Sequence, residues 1–170
     1  MKEIDFRYDL LPLKNQLYRL ALRITLDTAE AEDVTEDTLI RVWTKRHELG
    51  EVKSLEALCT TICRNLALDR KEKKEAQNLS LCQEAMDTAD PSPHPDEKME
   101  QDERMRRVGM LFNQLPEKSR TALQLRDIEG KSYRETAELM GITEDNVKVI
   151  IHRARQLLRK QYEKIENYGL

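Results

Sequence analysis

The stretch SYRETAELMGITEDNVKVIIH, residues 132–152, decides the fold of this chain. Ser132 and Glu135 form a capping box, in which the serine hydroxyl accepts a hydrogen bond from the backbone N–H of Glu135 and begins a helix. Gly141 stands where a residue in the left-handed conformation closes that helix. Thr143, followed by two acidic residues, begins the next helix, whose dipole favours negative charge in its first turn. This order of signals predicts a helix-turn-helix.

The second helix of this motif has an apolar face and a basic face. Its apolar stripe repeats at helical spacing: Val147, Ile150, Ile151, Ala154, Leu157 and Leu158. The other face carries the candidate DNA contacts: Lys148, Val149, His152, Arg153, Gln156 and Arg159. Because such a helix lies in the major groove, we expect its early side chains to meet base edges and its later arginines to meet phosphates. An ordinary helical hairpin with a solvated charged face is the alternative.

The first seventy-five residues also follow helical periodicity. One amphipathic helix is predicted by apolar residues at helical spacing: Leu17, Leu20, Ala21 and Ile24. A second helix is predicted over 31–43, with its acidic residues opposite the apolar ones. A third helix is predicted to begin at Ser54, whose hydroxyl can cap it.

The segment between these helical parts, residues 76–103, has a different composition. It contains eight acidic residues against Lys98 alone, and Pro91, Pro93 and Pro95 alternate within it. Its charge of −7 within a net charge of −3 leaves +4 on the rest of the chain. Because it has no sustained apolar face to offset the entropy of ordering, the segment is typical of a flexible linker.

Length and composition agree with this division. The chain has 170 residues with only 5 Gly and 5 Pro, too little turn punctuation for many short strands. We therefore predict an all-α protein of two small helical domains, 1–75 and 104–170, joined by the flexible acidic linker. The C-terminal domain is the helix-turn-helix, and we expect the two domains to be separate bundles.

Several classes of protein are disfavoured by the same sequence. No apolar run approaches the roughly 18 residues that would span a bilayer, so we expect a cytoplasmic protein without membrane insertion. Cys59, Cys63 and Cys82 are an odd number without framework spacing, which indicates a reducing compartment. Cys59 and Cys63 share a helix face, where we favour small apolar packing over a metal or redox role. We predict no metal and no cofactor.

Three segments together resemble the extracytoplasmic-function (ECF) group of bacterial RNA polymerase sigma factors. AEDVTEDTLIRVW (31–43) looks like the core-polymerase-binding helix, and LEALCTTICRNLALDRKEKK (55–74) looks like the segment that reads and opens the minus-ten element. LPEKSRTALQLRDIEGKSYRETAELMGITEDNVKVIIHRARQLLRK (115–160) is similar to the domain that reads the minus-thirty-five element. The resemblance implies a non-enzymatic subunit that binds core RNA polymerase, docks it on promoter DNA and helps to open the duplex.

The resemblance also implies site residues and partners. For core polymerase binding they are Asp33, Glu36, Asp37, Leu39 and Trp43, although a solvated acidic face and a packed Trp43 are the alternatives. For the minus-ten element they are Arg64, Asn65, Arg70, Lys71, Lys73 and Lys74, with Asn65 near a flipped base unless it caps the helix end. For the minus-thirty-five element they are the six residues of the second helix named above. An anti-sigma factor, often membrane-bound, is a further implied partner.

Two other functional classes remain as alternatives. A stand-alone helix-turn-helix regulator would dimerise and bind promoters without polymerase. An enzyme is disfavoured, because His47, His94 and His152 are scattered and no phosphate-binding glycine loop, nucleophile motif or metal spacing occurs.

Overall fold

The computed structural model of the protein describes residues 3–81 and 99–167, and all regular secondary structure within these ranges is helical. Two short helical turns, Phe6–Leu10 and Leu11–Leu13, precede the N-terminal module of α1 (Lys14–Thr25), α2 (Thr28–Thr44) and α3 (Leu55–Leu81). The C-terminal module contains α4 (Met99–Asn113), α5 (Glu117–Leu123) with a π-helical turn Gln124–Ile128, α6 (Tyr133–Met140) and α7 (Glu144–Asn167). The predicted all-α class is confirmed.

The N-terminal module is a three-helix bundle whose apolar stripes face inward. On α1 the four predicted residues are each at most 2% exposed: Leu17, Leu20, Ala21 and Ile24. α2 buries the predicted stripe of Ala31, Val34, Thr38, Leu39 and Val42. The Ser54 hydroxyl accepts from the backbone N–H of Ala57 at 3.1 Å, which confirms the predicted start of α3.

A tight turn between α1 and α2 fixes the angle of that pair. Leu26 has φ = 57°, the left-handed conformation, and its backbone N–H donates to the Leu22 carbonyl at 2.8 Å to close α1. The Asp27 carboxylate then accepts from the backbone N–H of Glu30 at 3.1 Å and caps α2. The two helices therefore meet through a single left-handed residue and a cap.

The helix-turn-helix has the predicted local structure. The Ser132 hydroxyl accepts from the Glu135 N–H at 3.0 Å, and the Thr143 hydroxyl accepts from the Asn146 N–H at 3.1 Å. Gly141 closes α6 with φ = 68°. The small residue Ala137 and three residues of the α7 stripe are buried at the crossing of the two helices: Val147, Ile151 and Ala154.

The helices continue into the stretch predicted as linker. α3 ends at Leu81 and α4 begins at Met99, inside both ends of 76–103. Glu, Gln and Lys are good helix formers, so a polar stretch extends a helix that packing has already nucleated. The remainder of the predicted linker, with Cys82 and the alternating prolines, lies outside the described residues.

The two modules pack against each other, which differs from the expectation of separate bundles. Buried side chains of both modules form one continuous hydrophobic core, with α1 against α5. Arg120 of α5 is 4% exposed, and its guanidinium donates to the carbonyls of Arg23 at 2.6 Å and Ile24 at 3.3 Å. The same side chain donates to the Leu115 carbonyl of its own module. Arg120 thus satisfies carbonyls that the C-terminal end of α1 leaves without a helical partner.

Further polar contacts surround this junction. Arg19 donates to both carboxylate oxygens of Glu129, at 2.8 and 3.1 Å. Arg23 lies over the Phe112 ring at 4.4 Å and donates to the Gln124 side-chain oxygen at 2.9 Å. Lys131 also pairs with Glu56 of α3. Sequence periodicity does not reveal such a surface, because each of these side chains is polar and its partner lies about 75 to 110 residues away.

Candidate nucleic-acid interface

The basic face of α7 is open to solvent. All six candidate contacts predicted for the minus-thirty-five element are exposed: Lys148, Val149, His152, Arg153, Gln156 and Arg159. They lie off the buried stripe of α7, and Lys148 Nζ also lies 3.7 Å from Glu144 Oε1 one turn earlier. An exposed helix face with basic side chains is what a helix entering a major groove requires. Leu157 of the predicted stripe is instead 44% exposed.

Side chains of α6 and of the turn before it contact the first half of α7. The Tyr133 ring at the start of α6 lies 4.6 Å from the Arg126 guanidinium carbon and 5.6 Å from Lys148 Nζ. Arg155 is held by both carboxylate oxygens of Asp127, and the contact to Oδ2 measures 3.0 Å. This aromatic and cationic cluster was not predicted from the sequence, although an aromatic residue directly after a helix cap is the signal that could have indicated it.

The candidate minus-ten residues on α3 divide into exposed and engaged side chains. Asn65 and Lys73 are exposed, and within the described part of the chain no ion pair involves Lys73. Arg64 is only 13% exposed and lies 4.0 Å from Glu117 of the C-terminal module. Lys71 pairs along its own helix with Glu75 at 2.6 Å. In this arrangement Arg64 is therefore covered and not presented to DNA.

Arg70 and Lys74 pair with acidic residues of α2 and its cap, and their side chains are 30% and 41% exposed. Arg70 contacts Glu30, Asp33 and Asp37 at 2.9, 3.3 and 3.0 Å. Lys74 contacts Asp27 at 2.7 Å, and this lysine holds the pKa of Asp27 below its ordinary value. A run of basic residues in the sequence does not show which of them point toward an acidic neighbouring helix.

The candidate polymerase surface on α2 is acidic with an apolar residue beside it. Glu36 is exposed and the Asp33 side chain is 65% exposed, whereas Leu39 is buried and supports the helix from below. Ile40 is 58% exposed next to these acids, and sequence analysis did not select it. Its position off the buried stripe of α2 is the signal that could have done so.

Trp43 packs at the end of α2 as the packing alternative predicts. Its ring meets Phe6 edge to face with centroids 5.5 Å apart, and the Arg46 guanidinium lies 3.7 Å from its centroid. The N-terminal turn thereby anchors the end of α2. The Trp43 indole therefore affects the acidic surface of α2 by holding the end of that helix in place.

The two described cysteines are core residues. Cys59 and Cys63 have no exposed surface, which confirms the packing interpretation, and the Cys63 thiol donates to the Leu17 carbonyl at 3.4 Å. Burial raises the pKa of Cys59 to about 11 and that of Cys63 to about 12. Residues 3–81 and 99–167 contain no group of three or more His, Cys, Asp or Glu that could hold a metal ion. No helix in these ranges is long and apolar enough to cross a membrane.

Comparison with known families separates the same two modules. The Sigma-70 region 2 family model matches residues 11–77, and the Sigma-70, region 4 model matches residues 105–158. The sigma factor RpoE of Bartonella quintana, solved in complex with the anti-sigma factor NepR, superposes with a TM-score of 0.71. That match has 25% identity and covers 95% of this chain and 98% of RpoE.

Similar proteins support the same conclusion. The probable RNA polymerase sigma factor RfaY of Xanthomonas campestris pv. campestris is 32% identical over 155 residues, and the match covers 87% of this chain but 38% of RfaY. The ECF RNA polymerase sigma factor SigL of Mycobacterium tuberculosis is 31% identical over 144 residues, which cover 84% of this chain and 80% of SigL. With both modules matched in order and most of SigL covered, the chain belongs to the ECF RNA polymerase sigma factors.

Proposed function

We propose that this chain binds core RNA polymerase through the exposed surface of α2, which comprises Asp33, Glu36, Asp37 and Ile40. The chain then directs the enzyme to promoters by reading a minus-ten element with α3 and a minus-thirty-five element with α7. It acts as a non-enzymatic subunit in the cytoplasm, without a cofactor. The observation that carries the proposal is the open basic face of α7 on a helix-turn-helix whose apolar stripe is packed into the core.

Reading both elements at once requires the modules to separate. Elements named for positions ten and thirty-five lie about 25 base pairs apart, or about 85 Å at 3.4 Å per base pair. A compact chain of 170 residues measures about 40 Å across. The contacts around Arg120 must therefore break when the chain occupies a promoter with polymerase.

An anti-sigma factor is the second proposed partner. RpoE is described in complex with the anti-sigma factor NepR, and the structure of this chain superposes on it over nearly its whole length. We infer that this chain is likewise restrained by an anti-sigma factor, which would favour the compact arrangement. Co-purification of the chain with a candidate anti-sigma factor, and loss of transcription on its addition, would test this.

The experiment for the main proposal is run-off transcription with purified chain and core polymerase. We expect transcripts from genomic fragments only when both are present. Arg153→Ala should weaken promoter use by a factor that corresponds to about 1–3 kcal/mol, the usual effect of losing one base-reading contact. The matched control is Arg106→Ala, at an exposed arginine on α4. Promoter binding by a dimer of the chain without polymerase would instead support a stand-alone regulator.

A further inference from the structure

The acidic residues of α2 and the basic residues of α3 form one ionic ladder between the two helices. Arg70 Nη1 lies 2.9 Å from Glu30 and 3.3 Å from Asp33, and Arg70 Nη2 lies 3.0 Å from Asp37. One turn further along α3, Lys74 Nζ lies 2.7 Å from Asp27. Three carboxylates from successive turns of α2 therefore converge on a single guanidinium.

Without the guanidinium, these carboxylates would repel one another. Asp33 and Asp37 are four residues apart on one helix face, and Glu30 is three residues before Asp33; like charges at these spacings destabilise a helix. Arg70 offsets this repulsion, and the hydrogen bond that it donates to the Glu30 carboxylate is the main reason that the pKa of Arg70 is raised. A guanidinium presents donors in a fixed planar fork, so it also sets the direction in which each carboxylate points.

This engagement separates Arg70 from the basic residues that surround it in the sequence. Lys73 is exposed, and Asn65 is exposed two turns earlier on the same helix. The Arg70 side chain is 30% exposed, and both of its Nη atoms already donate to carboxylates of α2. To bind a phosphate with either of these atoms, Arg70 would have to give up part of its contact with α2.

We propose that Arg70 is a positioning residue for polymerase docking, which orients the Asp33 and Asp37 carboxylates on α2, and that it does not contact promoter DNA. This inference rests on the proposed function, since it assigns α2 as the polymerase surface. The basic end of α3 then has two roles on two faces. Arg70 and Lys74 organise the protein-binding helix, while Asn65 and Lys73 face the nucleic acid.

The kinetics of binding to core polymerase distinguish the orienting effect of Arg70 from the effect of its charge. Removing Arg70 makes the α2 surface more negative by one charge, which by itself would speed association with a basic partner. Loss of orientation acts in the opposite direction, because freed carboxylates must be ordered again at the interface. We therefore expect the Arg70→Ala chain to dissociate from core polymerase about tenfold faster, without slower association.

The test compares three variants of the full chain. Arg70→Ala removes the fork, and Lys73→Ala removes the same charge one turn away on the exposed face. Glu30→Gln loosens the hold on Arg70 without changing any residue of the α2 surface or any cation. The rate of dissociation from core polymerase is measured with the polymerase immobilised on a surface. Promoter affinity of the saturated holoenzyme is measured as a function of salt.

The expected pattern is specific. Arg70→Ala and Glu30→Gln speed dissociation from core polymerase, by about tenfold and about threefold, and leave the salt slope of promoter binding unchanged. Lys73→Ala leaves dissociation within twofold and reduces the salt slope by about 0.9, the value for one phosphate contact.

The opposite pattern overturns the proposal. If Arg70 contacts DNA, Arg70→Ala reduces the salt slope as Lys73→Ala does, and Glu30→Gln releases the arginine and strengthens promoter binding. Should circular dichroism show that Arg70→Ala does not fold, Glu30→Gln decides the question alone. Faster dissociation from core polymerase then supports the proposal, and stronger promoter binding overturns it. Failure of the parent chain to support transcription with core polymerase would contradict the proposed function, whereas a working parent with the opposite pattern contradicts only this inference.

Discussion

Replacing Arg120 by methionine should open the compact arrangement of the two modules. The guanidinium is buried and donates to the carbonyls of Arg23 and Ile24, which lie at the end of α1 in the other module. Burial lowers the pKa of Arg120, as expected for a charge removed from water. Methionine fills similar space but donates nothing, so both carbonyls would stay buried without a partner while the modules remain closed.

The magnitude follows from these two bonds. An unsatisfied buried carbonyl costs about 1–3 kcal/mol, and water satisfies both carbonyls once the modules part. The parent chain recovers solvation of its charge on opening, which offsets part of the effect. We expect the closed form to lose about 2–4 kcal/mol relative to the open form, which is a factor of about 30 to 1000 in that equilibrium.

Small-angle scattering on the free chain measures this change. A compact chain of this length has a radius of gyration of about 16 Å, and separation of the modules should raise it by several ångströms. Arg106→Met, at an exposed arginine of α4, is the matched control and should leave the radius as in the parent. Because Arg120 also donates to Leu115 within its own module, circular dichroism must show that the variant stays helical. A helical Arg120→Met chain with the parent's scattering curve would refute the reasoning.

Three further outcomes are expected. Gly141→Ala should lower the free energy of unfolding by about 1–2 kcal/mol in thermal melts. Gly141 has φ = 68° and no atom lies within 4 Å of an added Cβ, so backbone strain accounts for the whole cost. An unchanged melting curve would contradict this expectation. In a Cys82→Ser chain a thiol reagent at pH 8 should label neither Cys59 nor Cys63 until denaturant is added, since both are buried with raised pKa values; rapid native labelling would contradict it. Because Lys74 lowers the pKa of Asp27, the ionised Asp27 carboxylate stabilises the fold at pH values above its ordinary pKa near 4, and this stabilisation is lost as the pH falls through the lowered pKa. Asp27→Asn should therefore reduce the acid-induced loss of unfolding free energy by less than about 1 kcal/mol, because the pair is partly exposed. An equally steep loss in the parent and the variant would count against the pairing.

Local signals made the helices and their ends predictable. Ser132, Gly141 and Thr143 each act on backbone groups within three or four residues, so their effect can be read from spacing alone. The apolar stripe of α1 is likewise a local property of helix geometry. Such features do not depend on which element comes to lie opposite.

The pairing of charged residues was not predictable in this way. The sequence presents Arg64, Arg70 and Lys73 as one basic run. In the structure the other module covers Arg64 and Arg70 pairs with α2, whereas Lys73 makes no ion pair within the described residues. Those outcomes depend on residues of α5 and α2 that tertiary packing brings near α3. The same holds for Arg120, whose carbonyl partners are nearly a hundred residues away in the chain.

The closed arrangement treats the two helices that we propose read DNA unequally. Glu117 shields Arg64 on α3, whereas the basic side of α7 stays bare. In this shape α7 offers all of its candidate side chains, whereas α3 offers Asn65 and Lys73 without Arg64, so non-specific binding of the free molecule to DNA would involve few phosphates and would weaken quickly with salt. Under the proposed function, both promoter elements are read together only once the modules have separated on polymerase.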